Sequence, residues 1–355
     1  MAAGQLSDRA GSTGTEARRL RVAMIGAGDM SRHHLIGWQR AEAAAVVAIA
    51  NRTRARADAR AAVFGIAAVY EDPGEMLAAE ELDVVDIVTN RGTHVAYVQL
   101  AAEHGLDAMC QKPLAPTLDE ARALVDRVRD RIRLMVHENR RFAPHFRQAR
   151  AWIDAGALGA LRQAVLTTWR SSMLPGPDGR RAAVERAAYF ATEPRLIVGE
   201  ALIHQLDVLR YLLGPLRVVA ARTQHTERDI AGETLATLLL ETDAERAPVV
   251  LAGSYVAPGF GAPATAGAAI GAHTTDRLEI LGSRSSIVMS DDALELRGER
   301  TERVPVDYAA SYQACFDAAI AHFVACLRNG APFETDAADN LATLQLVEDA
   351  YRAAL

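Results

Sequence analysis

The chain has 355 residues, half of them hydrophobic and 24% charged, with a formal charge of −6 from 39 basic and 45 acidic side chains. That length and composition suit two folded domains and exclude a disordered chain. Arginines are scattered among acids rather than gathered in a stripe, so nothing marks a nucleic-acid partner.

Of the basic residues, 38 are arginine and only Lys112 is lysine. A guanidinium is always charged, whereas an amine is compact and can be tuned by burial, so the lone lysine is a candidate for a role that arginine cannot fill. Cys110, Cys315 and Cys326 form no CxxC pair, which points to a reducing, cytoplasmic location. His322 and Cys326 by themselves make a poor metal site, and no metal is expected. Residues 1–18 lack an apolar signal core and read as a flexible leader. No later window of about 18 residues is apolar without polar breaks, so no membrane partner is expected.

From Arg21, RVAMIG is a strand that runs into Gly26-Ala27-Gly28 and a helix over 31–42. A second strand follows at 44–50, then a helix (ARADARAAVFG), a short strand (AAVY), a helix (PGEMLAAEEL) and a buried strand at 83–90. The alternation continues with a helix ended by Gly105, the strand LDAMCQ, the helix TLDEARALVDRVRDR and the strand IRLMVHEN. Near-continuous apolar strands alternating with helices predict a Rossmann-type, doubly wound parallel sheet over 19–140.

After residue 140 a helix from Pro144 precedes longer, alternating strands at 160–169, 216–223, 234–241 and 248–256. Others are expected at 277–281, 285–290 and 293–297, with helices at 200–212, 310–328 and 336–354. Residues 141–355 are therefore read as an α+β domain with a mostly antiparallel, open-faced sheet for substrate binding and self-association. Its C-terminal helix is expected near the first domain. Segments 171–181 and 257–273 are irregular.

The glycine pair Gly26 and Gly28 follows a strand and opens a helix, so its amides and those of Asp29 and Met30 can face a pyrophosphate. Ser31 holds the third fingerprint position. The second strand ends in Asn51-Arg52-Thr53-Arg54 with no carboxylate for a ribose. An arginine there can pair with a 2′-phosphate, which favours NADP over NAD; the alternative is a solvated arginine. Thr89 and Asn90 end the fourth predicted strand, His94 follows it and Gln111 ends the fifth, completing with Lys112 the cofactor-binding candidates.

Lys112-Pro113 lies at the carboxyl edge of the predicted sheet, where such folds bind ligands, on a backbone stiffened by proline. Glu200 and His204 lie four apart on a predicted helical face, with Gln205 and Asp207 beside them.

The pieces AMIGAGDMSRHH, VTNRGTHVAYVQLAAEHG, CQKP, VHENRRFAP and VGEALIHQLDVLRYLLG together resemble the glucose-fructose oxidoreductase, inositol dehydrogenase and rhizopine-catabolism family of NAD(P)-dependent oxidoreductases. The resemblance covers most of residues 20–355. It implies Lys112, Glu200 and His204 as the catalytic group, with departures at Gln111 for a usual glutamate, Glu200 for aspartate and Leu202 for a frequent glycine. It also implies a homodimer or homotetramer formed through the second domain.

The expected reaction is reversible oxidation of a secondary alcohol, with His204 taking the hydroxyl proton and Lys112 stabilising the alkoxide, Glu200 orienting His204 or binding a hydroxyl. Asn139, Arg141, Trp169, Arg170, Tyr189, Arg195 and Gln205 join Glu200 and His204 as substrate-binding candidates. Their donors, arginines and aromatic surface suit a small polyhydroxylated or acidic substrate: a sugar, an inositol-like polyol or a sugar acid. A hydrolase or epimerase using transient hydride transfer, and a non-catalytic dinucleotide sensor, are the competing readings.

Overall fold

The structure, a computed structural model, describes residues 18–260 and 275–354. The expected leader up to residue 17, and most of the irregular 257–273 stretch, lie outside the described residues. The chain begins with β1 (Leu20–Ile25), α1 (Asp29–Arg40), β2 (Ala44–Ala50), α2 (Arg54–Phe64), β3 (Ala68–Tyr70) and α3 (Pro73–Ala79). It continues with β4 (Val84–Ile87), α4 (Arg91–Glu103), β5 (Asp107–Gln111), α5 (Leu118–Val128) and β6 (Leu134–His137).

These six strands form one parallel sheet in the order β3-β2-β1-β4-β5-β6. The order reverses between β1 and β4, which opens a crevice at their carboxyl ends. Every residue of β4 and β6 is buried, because helices cover both faces. One of them is Asp86, whose carboxylate accepts hydrogen bonds from His34 Nδ1 at 2.9 Å and Trp38 Nε1 at 2.7 Å and so pins α1 to the sheet. Gly26 has φ +109°, and a Cβ there would come within 2.2 Å of the Val88 carbonyl oxygen. Only glycine fits where β1 turns beside β4.

A 3₁₀ turn at Arg140–Phe142 leads to α6 (Pro144–Asp154), β7 (Leu161–Trp169) and α7 (Ala182–Arg186). A π-helical turn at Ile197–Leu202 then runs into α8 (Ile203–Leu213), followed by β8 (Leu216–Gln224), β9 (Leu235–Thr242) and β10 (Pro248–Ser254). The last elements are β11 (Thr275–Gly282), β12 (Ser285–Met289), β13 (Ala293–Gly298), β14 (Glu302–Pro305), α9 (Tyr308–Asn329) and α10 (Ala337–Ala353).

The eight strands of this part form a second sheet in the order β14-β13-β12-β11-β7-β10-β9-β8. Every neighbouring pair is antiparallel except β7 with β10. Alternation in a sequence reports which side of a strand is covered and carries no information on direction, so the parallel pair was not legible. The covered side is well packed: Leu238, Leu240, Val249, Leu251, Leu278 and Ile280 are fully buried in one cluster with Ile203, Leu206 and Leu209 of α8. Burial of each such side chain is worth roughly 1.5–3 kcal/mol. On the opposite side Val219, Leu239 and Leu281 are each more than one third exposed.

α9 is long enough, and on average apolar enough, to cross a membrane by length and composition, although Gln313, Asp317 and His322 interrupt it. In the fold it is a core helix: Ala319, Ile320 and Phe323 are buried in a cluster with Leu35 and Trp38 of α1, and the Trp38 and Phe323 rings meet edge-on at 6.2 Å. α10 lies along α5, where Arg122 Nη2 donates to Gln345 Oε1 at 2.6 Å. The irregular 171–181 segment is anchored by fully buried Met173 and by the Arg181–Glu227 ion pair at 2.8 Å.

Candidate active site

The glycine turn opens onto the crevice. A Cβ placed on Gly28 would meet no atom within 4 Å, so the amino end of α1 is free to receive a bulky group. Asn51 braces this turn from β2: its Oδ1 accepts from Ala27 N–H at 3.1 Å and its Nδ2 donates to Thr53 O at 2.9 Å. Arg60 of α2, which sequence reasoning missed, donates to Ser31 Oγ at 3.1 Å and to Gly28 O at 3.2 Å. Asp29 is exposed and Met30 half-buried at the same helix end. An open glycine turn facing a helix amino terminus fits a dinucleotide pyrophosphate. Arg52 is exposed beside it and makes no hydrogen bond among the described residues.

At the next strand ends, Asn90 is exposed and Thr89 Oγ1 accepts from Thr93 at 2.8 Å. His94 is buried, with Nδ1 2.8 Å from Pro113 O and Nε2 3.1 Å from Thr89 O, so it ties the loops after β4 and β5 together. Gln111 also faces inward. Its amide nitrogen donates to His34 Nε2 at 2.7 Å and His137 Nδ1 at 3.1 Å, while its Oε1 accepts the Lys112 backbone N–H at 3.2 Å. Both residues are buried and hold the Lys112-Pro113 segment, whose connecting peptide is cis.

Lys112 projects from the end of β5 to Glu200. Its Nζ donates to the Glu200 backbone carbonyl at 2.8 Å and to Glu200 Oε2 at 3.0 Å. Arg91, at the start of α4 and not foreseen from the sequence, lies 3.6 Å from Glu200 Oε1 and also pairs with Glu193. Burial alone would raise the Glu200 pKa, but Lys112 and Arg91 outweigh it and hold the carboxyl below its usual range. The π-helical turn that carries Glu200 is fixed by Glu233, whose buried carboxylate accepts from Leu196 N–H at 3.1 Å and Val198 N–H at 3.0 Å. Such wide turns recur at functional sites because they re-aim side chains. Glu200 and His204 are thus four apart in sequence but do not share a regular helical face.

His204 Nδ1 instead meets Glu138 Oε1, immediately after β6. Glu138 is fully buried, and sequence reasoning passed over it inside the quoted VHENRRFAP segment. Burial pushes Glu138 up to about 7 against the pull of Lys112, Arg141 and Arg140. Burial likewise lowers His204 well below its ordinary value, reinforced by Lys112, Arg140 and Arg170.

The candidate substrate residues divide into two groups. Tyr189 is exposed with its hydroxyl 3.4 Å from Glu200 Oε2, and Arg170 holds its guanidinium 5.7 Å from the Tyr255 ring with Nε unpartnered. Trp169 is half-buried, its ring 6.4 Å from that of Phe260. The other four are committed elsewhere. Asn139 is buried and donates to Cys315 Sγ at 3.0 Å, and Gln205 donates to Asp276 Oδ2 at 3.2 Å. Arg195 pairs with Glu348 at 2.6 Å and covers the Tyr351 ring. Arg141 makes two buried hydrogen bonds to Asp207, at 2.8 and 2.5 Å, and reaches Asp339 at 3.1 Å. Its donors clamp α8 and α10 to the turn after β6. The sequence carried one hint, a carboxylate at Asp207 on the candidate catalytic helix itself.

A glycine turn, a lysine at a sheet edge and a carboxylate–histidine pair across a second domain define an oxidoreductase of the dinucleotide-binding class. The sequence pattern of the oxidoreductase family with an NAD-binding Rossmann fold matches residues 20–138, and that of the GFO/IDH/MocA C-terminal domain matches residues 146–288. The chain belongs to this family. It is 35% identical to D-apiose dehydrogenase of Paraburkholderia graminis over 97% of this chain and 90% of that one. It is 30% identical to D-apiose dehydrogenase of Rhizobium rhizogenes, covering 94% and 95% of the two chains. Among solved structures, an oxidoreductase from Agrobacterium radiobacter in complex with NAD+, L-tartaric acid and magnesium superimposes with a TM-score of 0.83. That protein is 29% identical, with 95% of this chain and 96% of that one covered.

The Arg141 geometry sets an expectation for stability. Removing one partner of a buried ion pair leaves the other charge uncompensated, so Arg141→Ala should cost about 3–5 kcal/mol in denaturant unfolding. Unchanged stability with a raised substrate KM would instead make Arg141 a ligand contact.

Proposed function

We propose that this chain is an NAD(P)-dependent dehydrogenase that interconverts a secondary alcohol of a sugar, inositol-like polyol or sugar acid with its ketone, in the cytoplasm. The observation that carries the reading is the contact of Lys112 with Glu200, with His204 near enough to feel both charges, at the same carboxyl edge of the parallel sheet as the open glycine turn. Residues 19–140 form the cofactor domain in this reading, and 141–355 the substrate domain.

When bound, the nicotinamide supplies a hydride acceptor or donor. The chain supplies the remainder. Lys112, held in a fixed direction by two Glu200 oxygens, donates to the substrate oxygen and stabilises developing negative charge; His204 Nε2 takes the hydroxyl proton. Glu200 keeps Lys112 in place and, with Tyr189 and Arg170, borders the substrate. The dehydrogenase names of the sugar and polyol relatives support the substrate class. A screen of sugars, inositols and sugar acids with both cofactors should give absorbance change at 340 nm. Lys112→Met should lower kcat on the best substrate by about 10²–10⁴-fold with cofactor affinity retained. Wild-type kcat in that variant removes Lys112 from the chemistry.

For the cofactor, exposed Arg52 and the lack of a carboxylate at the end of β2 support NADP over NAD, although the Agrobacterium structure holds NAD+. The kcat/KM ratio should favour NADP and fall at least tenfold toward NAD in Arg52→Ala. An NAD preference that the substitution leaves unchanged overturns this choice.

The apolar positions Val219, Leu239 and Leu281 on the uncovered sheet face support a homodimer or homotetramer. Light scattering should return twice or four times the 38.2 kDa chain mass, and a monomer across concentrations overturns the assembly.

A further inference from the structure

We infer that Glu138 is the positioning residue of this site: it holds His204 in the tautomer that leaves Nε2 free as the base, and it pairs with the imidazolium formed during the reaction. The inference rests on the dehydrogenase reading and assigns a role to a residue outside the expected catalytic group.

Glu138 is fully buried directly after β6, and its Oε1 faces His204 Nδ1. A carboxylate accepts, so the imidazole proton belongs on Nδ1 and the lone pair on Nε2. The His204 side chain is 15% exposed, and Nε2 makes no hydrogen bond among the described residues. Glu200 is not available for this task. One of its oxygens serves Lys112 and Tyr189, and the other faces Arg91.

The contact is also built to persist. Arg141 lies three residues after Glu138 and Asp207 three residues after His204, and these two are joined by a buried ion pair that locks the turn after β6 to α8. Packing therefore fixes the spacing between Glu138 and His204 independently of the pair itself.

In the oxidation step the substrate O–H bond breaks and an N–H bond forms at Nε2, while the C–H electron pair leaves as hydride to the nicotinamide. The products are the ketone, the reduced cofactor and one proton on His204. That proton makes an imidazolium, which Glu138 stabilises through Nδ1–H. The surrounding groups are Lys112 after β5, Arg140 and Arg141 in the 3₁₀ turn, Arg170 after β7, Glu200 in the π-helical turn, Asp207 on α8 and, as neutral neighbours, His137 and the Cys315 thiol of α9. Burial raises Glu138 and lowers His204, so the pair binds one shared proton at low pH and releases it near 7. The base-competent state, carboxylate with neutral imidazole, is the one present above that pH.

The test compares wild type with Glu138→Gln and Glu138→Asp. In wild type, kcat/KM for alcohol oxidation should rise with pH through a limb near 7. Glu138→Gln should lower kcat about 100-fold with KM changed less than threefold, and should displace that limb by more than one pH unit; Glu138→Asp should recover part of the rate. Cofactor binding by fluorescence checks that each variant is folded. Independently of turnover, nitrogen-15 histidine spectra should show His204 protonated at Nδ1 in wild type and a mixture of tautomers in Glu138→Gln. Unchanged kcat and limb in Glu138→Gln, or a wild-type His204 protonated at Nε2, overturns the assignment. An absence of wild-type turnover on every substrate counts against the dehydrogenase reading, and the tautomer spectra then decide the role of Glu138.

Discussion

The site depends on the buried pairing of Arg141 with Asp207. Two hydrogen bonds join the turn after β6 to α8, and Arg141 extends the join to Asp339 of α10. Arg210 strengthens it by reaching Asp339 at 2.8 Å. A fork of donors suits this place because one planar group can serve several acceptors at once, which a lysine could not do. The consequence is geometric: the carboxyl edge of the parallel sheet and the first turns of α8 are brought into one arrangement, with Glu138 and His204 in contact.

A second constraint is the competition for charge around Glu200. Its carboxylate is nearly enclosed, which would favour a proton, yet Lys112 and Arg91 keep it ionised. Lys112 in turn receives two oxygen partners from one residue, side chain and backbone. Such an arrangement restricts a flexible side chain to one direction. The lone lysine of the chain is held where a compact donor with a long stem reaches across the crevice, while arginines such as Arg141 and Arg147 serve as clamps and ring contacts.

Much of the fold was legible. Period-two and near-continuous apolar runs located the strands of both sheets, and the glycine turn with Asp86-containing β4 marked the parallel sheet. The parallel β7–β10 pair, the π-helical turn and the short β14 were not, because each depends on which distant segment a strand or turn meets. In the site, Lys112, Glu200 and His204 were singled out by type and spacing. Glu138, Arg91 and Arg60 were missed, since each acts through a partner on another element: His204, Glu200 and Ser31. For the same reason Arg141, Asn139, Gln205 and Arg195 looked like free donors when their partners were Asp207, Cys315, Asp276 and Glu348.

The sequence by itself determined the local propensities: where strands and helices run, where only glycine can turn, and that a single amine stands at a sheet edge. These follow from near-neighbour chemistry and periodic burial, which a linear pattern contains. Tertiary structure alone decided the pairing of charges. Whether an arginine binds a ligand or closes an ion pair, and which carboxylate a histidine meets, depends on distances between residues far apart in the chain, such as Arg141 and Asp339, which are 198 positions apart. Coulomb and hydrogen-bond energies act over a few ångströms, and folding is what sets those ångströms.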